Sequence, residues 1–135
     1  TNPLLGKNMA ELGPRFPDMS QPYSHELINR AKAIAKKEGI ELKQGVYVGT
    51  AGPTFETPAE YKYFRIIGGD AVGMSTVPEV IVARHMGMTC FGVSIITDSG
   101  VPGQIVEISH EEVQQVAAAA EPNMTRVIAE LVKTL

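Results

Sequence analysis

Val46-Tyr47-Val48-Gly49-Thr50-Ala51-Gly52-Pro53-Thr54-Phe55-Glu56-Thr57-Pro58-Ala59-Glu60 reads as a strand, a sharp turn and a helix start in one run. Val46 and Val48 belong to a β-favouring segment over 45–51, and Gly52 and Pro53 break it. Thr57-Pro58-Ala59-Glu60 then has the form of a capping box with proline at the first helical position. Thr57 can cap the new helix without help from Glu56, so the helix start does not by itself require an acid there. Two readings of Glu56 stand at this point: a solvated carboxylate favoured by the helix dipole, or a group held for a ligand.

Working outward, the pattern repeats. Upstream, Ser24 offers a helix cap, and Leu27, Ile28, Ala31, Ile34 and Ala35 recur at helical spacing until Gly39. The charges of Lys32, Lys36, Lys37 and Glu38 fit a solvated face. Downstream, a second helix runs over 58–67 to Gly68-Gly69. A very short strand at 71–73 leads to Thr76-Val77-Pro78-Glu79, which has the form of another capping box and predicts a third helix to Met86 with Gly87 as its terminator. Residues 88–97 form the most apolar stretch, read as a strand covered on both faces. Gly100 to Val106 is a loop. Ser109-His110-Glu111-Glu112 opens the last helix, whose apolar stripe from Val113 through Ala117, Ala120 and Val127 to Leu131 keeps phase across Pro122. That continuity predicts one kinked helix in preference to two.

Residues 1–23, with four prolines and no sustained period, read as an ordered loop or arm. A connection of that length either wraps other protein or carries function. Helices alternating with strands indicate an α/β fold, a mixed or mostly parallel sheet flanked by helices. No repeat or composition shift divides the 135 residues, so a single domain, or part of one, is expected.

Composition narrows the function. A net charge of −3 with no Lys/Arg cluster argues against a nucleic-acid surface. No apolar run has the length of a membrane span, and the start Thr-Asn-Pro-Leu lacks the pattern of a signal peptide. A single Cys90 fits a reducing cytoplasm, and a small ligand is the expected partner. The absence of an initiating Met is read as processing or as a true beginning upstream. In parallel sheets ligands bind beyond the carboxyl ends of the strands, and Glu56, Ser75 and Asp98 all fall there. Ser75 precedes a helix start, where backbone amides favour an anion; its competing reading is a simple cap. For Asp98 the competing reading is a turn residue. His85 is read as structural.

These residues also carry a resemblance. Ala51-Gly52-Pro53-Thr54-Phe55-Glu56-Thr57, the block from Asp70-Ala71-Val72-Gly73-Met74-Ser75-Thr76-Val77-Pro78-Glu79 to Arg84-His85, Ile95-Ile96-Thr97 and His110-Glu111-Glu112-Val113 closely resemble the trimeric purine nucleoside phosphorylases. The likeness covers nearly the whole chain, including Asn2-Pro3-Leu4 and Arg15-Phe16-Pro17-Asp18-Met19-Ser20. It implies phosphorolysis of purine nucleosides, with inorganic phosphate as co-substrate and no metal or other cofactor, and a homotrimer when complete. By the same resemblance Phe55, Val72, Gly73 and Thr97 line the base site, Glu56 and Asp98 act on the purine, Tyr47, Met74 and His110 lie at the ribose, and Ser75 binds phosphate. Read without it, Met74 and Phe55 are core residues, Tyr47 a strand-surface aromatic and His110 a helix-start residue.

Two departures from the family pattern matter. Asp98 stands where the family usually has asparagine; an ionised carboxylate accepts but does not donate, so adenosine is expected to join inosine and guanosine as a substrate. The related methylthioadenosine phosphorylases also use an acid near Asp98, although His110 favours a free 5′-hydroxyl. The second departure is that the family's amino-terminal half, with most of its phosphate ligands, is absent. The chain is therefore expected to be the carboxyl-terminal part of a phosphorylase domain, with a sheet edge and apolar faces left uncovered. A non-catalytic purine-binding or interaction fragment is the alternative.

Overall fold

The helix that begins at the quoted turn forms as its residues dictate. In the computed structural model, which describes residues 1–135, α2 spans Pro58–Ile66. The Glu60 amide donates to the Thr57 hydroxyl (3.3 Å), while the Glu60 carboxylate accepts from the Thr57 amide (2.7 Å). The same reciprocal cap, Ser109 with Glu112, opens α4 (His110–Val132), and Ser24 caps α1 (His25–Lys37) through the Leu27 amide. Helix α4 continues through Pro122 as one element.

The sheet is smaller than the sequence pattern suggests. β1 (Tyr47–Gly49) pairs in parallel with β2 (Ala71–Gly73), with Val48 opposite Val72. Asp70 fastens the start of this pair by accepting from the Val46 amide at 2.9 Å. At the far end the Thr50 amide donates to the Gly73 carbonyl, also at 2.9 Å.

Two expectations are corrected here. The 88–97 segment is not a strand covered on both faces. Its residues alternate between half-buried and exposed from Phe91 to Asp98, the period of an extended chain with one face on the body, and Ile96 is 64% exposed. It lacks strand pairing because the sheet consists only of β1 and β2. Secondly, α3 (Val77–His85) is not entered through a capping box: Thr76 has φ 75 and makes no side-chain cap. The Val77 amide instead donates back to the Ser75 carbonyl at 2.8 Å, which makes Thr76 (φ 75, ψ −56) the centre of a strained γ-turn. The apolar stripe of α4 is deepest towards its carboxyl end: Val127 and Leu131 are buried, Val113, Ala117 and Ala120 are half-buried, and Val116 is exposed.

The core lies where α1 crosses α4. Ala31 and Ala35 let the helices approach closely against Val127 and Leu131, and Leu27, Ile34, Ile40, Leu42 and Phe91 surround them. Residues 1–23 contain no helix or strand and are held by their own hydrogen bonds. Arg15 donates to the Gly6 carbonyl (2.8 Å), and Asn8 donates to the Gly13 carbonyl (3.0 Å). Buried His85 contacts the Asn8 side-chain oxygen (3.1 Å) and so ties the arm to α3, which agrees with its structural reading.

Candidate functional site

The carboxyl ends of the two strands and the start of α2 converge on one region. Thr50, just past β1, donates its hydroxyl to Glu56 at 3.0 Å and lies 3.4 Å from the Gly73 carbonyl. Glu56 is thus half-buried on a fixed turn, with an oxygen left to accept another donor. This favours the ligand-holding reading over the freely solvated one. Gly52 takes φ 57, and a side chain there would overlap Met74, so the turn packs directly on the residue after β2.

Asp98 reaches the same region by a different route. The Thr97 hydroxyl donates to its carboxylate at 2.8 Å. The Tyr61 ring on α2 lies so close over Gly100 that a Cβ there would sit 2.8 Å from the ring's Cγ. Burial pushes the Tyr61 phenol up from its usual pKa, and the negative charges of Asp98 and Glu56 push it further. Tyr61 is therefore near enough to both acids for their charges to act on its phenol.

A second polar group gathers one strand-width away. The Tyr47 hydroxyl lies 3.4 Å from that of Ser75, which is 3.2 Å from that of Thr76. The γ-turn explains this row: positive φ at Thr76 turns its hydroxyl towards Ser75 and away from the amides of α3. Such strain costs on the order of 1–3 kcal/mol and persists where the surroundings impose it. Gly73 leaves room here for the Tyr47 hydroxyl, which a Cβ would displace. Tyr23, at the end of the arm, packs on Gly92 near Thr76; its phenol is pushed up by burial first, then by Cys90 and Tyr47.

The structure thus brings together Glu56, Thr97 and Asp98 as one cluster and Tyr47, Gly73, Met74 and Ser75 as another. Val72 is half-buried inside β2. Phe55 and Met74 are exposed at 48% and 42%, which argues against their alternative reading as core residues. His110 stands apart: it is exposed at the first position of α4, with Gln114 as its hydrogen-bond partner at 3.0 Å. Four participants escaped sequence reasoning: Thr50, Tyr61, Tyr23 and Thr76. Thr50 and Tyr61 carried a faint signal, as polar residues at the last position after the strand and one turn into the helix that Glu56 precedes. Chemically the first cluster offers two carboxylate acceptors, each steadied by a threonine hydroxyl, and the second a row of hydroxyls suited to an anionic oxygen. The chain contains no group of three His, Cys, Asp or Glu residues placed to hold a metal ion, and no helix long and apolar enough to cross a membrane.

Comparison with known proteins places this geometry in context. The model of the Phosphorylase superfamily matches residues 1–133. Purine nucleoside phosphorylase 1 of Geobacillus stearothermophilus is 45% identical over 134 residues, covering 99% of this chain and 49% of that protein. A Schistosoma purine nucleoside phosphorylase solved in complex with hypoxanthine superposes with a TM-score of 0.92 at 37% identity, over 98% of this chain and 49% of the other. The Schistosoma mansoni enzyme in complex with adenosine gives 0.91 at 37% identity, with the same coverage. The chain spans about half the length of the curated relatives it matches.

Proposed function

Because the chain belongs to the phosphorylase superfamily, we propose that it carries the purine-reading part of a purine nucleoside phosphorylase. The reaction is reversible phosphorolysis of purine ribonucleosides and 2′-deoxyribonucleosides to the free base and ribose or deoxyribose 1-phosphate. The observation that carries this reading is Glu56, held by Thr50 at the end of β1, with the segment that bears Asp98 brought to the same helix by the packing of Tyr61 over Gly100.

In this scheme a phosphate oxygen attacks C1′ as the bond from C1′ to the purine nitrogen breaks, and the bond's electron pair leaves with the base. Positive charge grows on the ribose and negative charge on the purine. Glu56 accepts from the N1 side of a 6-oxopurine and orients it. Asp98 addresses N7 and the 6-substituent; as an ionised acceptor it receives a 6-amino group, and when protonated it donates to N7. Hydrogen bonds that strengthen as the base becomes an anion lower the barrier. Phe55, Val72, Gly73 and Thr97 line the base site, Tyr47 and Met74 belong to the ribose site, His110, which stands apart from them in this chain, is assigned to the same site by the family resemblance, and Ser75 binds phosphate, which also offsets the sugar's charge. Inorganic phosphate is the co-substrate, and no cofactor enters.

The remaining phosphate ligands come from a complementary amino-terminal part. Residues 1–135 are then the carboxyl-terminal portion of one phosphorylase domain, which works as a cytoplasmic homotrimer. Support comes from the uncovered surface: the accessible area is 9656 Å² for 14.5 kDa, against about 6,900 Å² for a folded monomer of that mass. Only six of the 135 residues are buried, so the apolar surface needs further protein to cover it.

Phosphate-dependent release of hypoxanthine from inosine and of adenine from adenosine by the complete protein tests the reading. Release of neither base would overturn it. Asp98→Asn is expected to lower the adenosine-to-inosine ratio of kcat/KM by about tenfold, since the amide supplies a donor that O6 and N7 accept. An unchanged ratio would remove Asp98 from the base site.

A further inference from the structure

Thr50 lies outside every residue set the family resemblance implies, yet it joins both strand ends to the acid of the turn. It stands half-buried directly after β1. Its amide donates to the Gly73 carbonyl at 2.9 Å. Its hydroxyl has two acceptors in reach, the Glu56 carboxylate at 3.0 Å and the same Gly73 carbonyl at 3.4 Å. A hydroxyl has one proton to give. The carbonyl already accepts the Thr50 amide, and the carboxylate oxygen is the nearer and stronger acceptor, so the proton goes to Glu56.

We propose that Thr50 is a positioning residue that supports the use of 6-oxopurines by fixing Glu56 as an acceptor for their N1 proton. The inference rests on the phosphorolytic reading above. A glutamate side chain turns about several bonds, and an acid that must be ordered at each encounter gives up part of its binding energy to that ordering. Here one carboxylate oxygen is tied to the residue after β1, and the other is left to accept. The tie also closes the turn: Thr50 and Glu56 bracket residues 51–55, and Gly52 between them packs on Met74 after β2. The acid is thus held to the sheet as well as by its own backbone. Inosine and guanosine carry a proton on N1 and gain from a fixed acceptor. Adenosine has no proton on N1 and gains little, so the Thr50 hydroxyl favours the 6-oxopurines.

Thr50→Val tests this in the complete enzyme, because valine keeps the branched shape, suits a strand end and leaves the amide bond to Gly73 in place. Only the hydroxyl is lost. The kcat/KM for inosine should fall by about tenfold, the worth of one hydrogen bond to a charged group, while that for adenosine changes by less than about threefold. Thr50→Ser, which restores the hydroxyl, should return inosine to within about twofold of the unaltered enzyme. In a Glu56→Ala background Thr50→Val should change kcat/KM for inosine by less than about twofold, since no carboxylate remains to be held. A purely structural role would lower both nucleosides together, and that result would overturn the inference while phosphorolysis itself stands. So would a Thr50→Ser variant as poor as Thr50→Val, an undiminished loss in the Glu56→Ala background, or no loss on inosine at all. If the unaltered enzyme releases no base from either nucleoside, the inference falls with the reading beneath it.

Discussion

Glu56→Gln is expected to lower kcat/KM for inosine by roughly 10- to 150-fold in the complete enzyme, the consequence of losing one charge-assisted hydrogen bond worth about 1.5–3 kcal/mol. The substitution keeps the side-chain volume and can still accept from Thr50, so the turn retains its shape. What changes is the second oxygen. In the proposed scheme it accepts the N1 proton of a 6-oxopurine; a glutamine amide presented there opposes donor to donor. Adenosine should lose less, because its N1 is an acceptor that an amide can serve. Steady-state rates with both nucleosides therefore separate recognition from folding. A loss on inosine of less than about threefold would return Glu56 to the role of a solvated acid beside a capped helix.

Leu131→Ala is expected to destabilise the fold by about 2–4 kcal/mol, read as a shift in the midpoint of urea unfolding. Leu131 is one of four apolar residues that form the buried core, and it faces Ala31 and Ala35 across the meeting of α1 and α4. Small residues opposite cannot expand to fill the cavity, so little of the loss is recovered by relaxation. The cost is a large share of the stability available to any domain of this size. Val116→Ala, on the uncovered stretch of the same helix stripe, should change stability by less than about 0.5 kcal/mol. If the two variants behave alike, the α1–α4 contact is not what holds the chain together.

The sheet segments that failed to form are informative about the limits of pattern reading. The 88–97 run has the composition of a buried parallel strand, and its extended backbone with alternating burial agrees with that local preference. A strand, however, is defined by hydrogen bonds to a neighbour. Hydrophobic composition reports that a segment needs covering; it does not supply the layer that covers it. The same reasoning applies to Val116 and to Ile66, which is 73% exposed at the end of α2. Each carries the signature of burial on surface that remains open.

Local chemistry was legible to the residue in several places. Thr57 with Glu60 and Ser109 with Glu112 close as written, because a capping box needs only residues three apart and the helix they begin. The Thr76-Val77-Pro78-Glu79 run has the same spelling and does not close. Thr76 is drawn into the γ-turn that links β2 to α3, and its positive φ swings the hydroxyl to Ser75. Spelling alone could not separate these cases, since the conflict comes from the end of β2, whose place is set by pairing with β1.

By itself the sequence determined the helices and their caps, the parallel α/β character, the arm's lack of regular structure, and the polar residues Glu56, Ser75 and Asp98 at strand ends. Those features depend on spacing along the chain. Only the tertiary structure decided that Tyr61 packs over Gly100 beside Asp98, that Thr50 holds Glu56, and that Tyr47, Ser75 and Thr76 form one row of hydroxyls. Asp98 lies 42 positions beyond Glu56 in sequence, and no local period encodes their meeting. It follows from a helix packing its tyrosine over Gly100, a contact that exists only once the chain has folded back on itself.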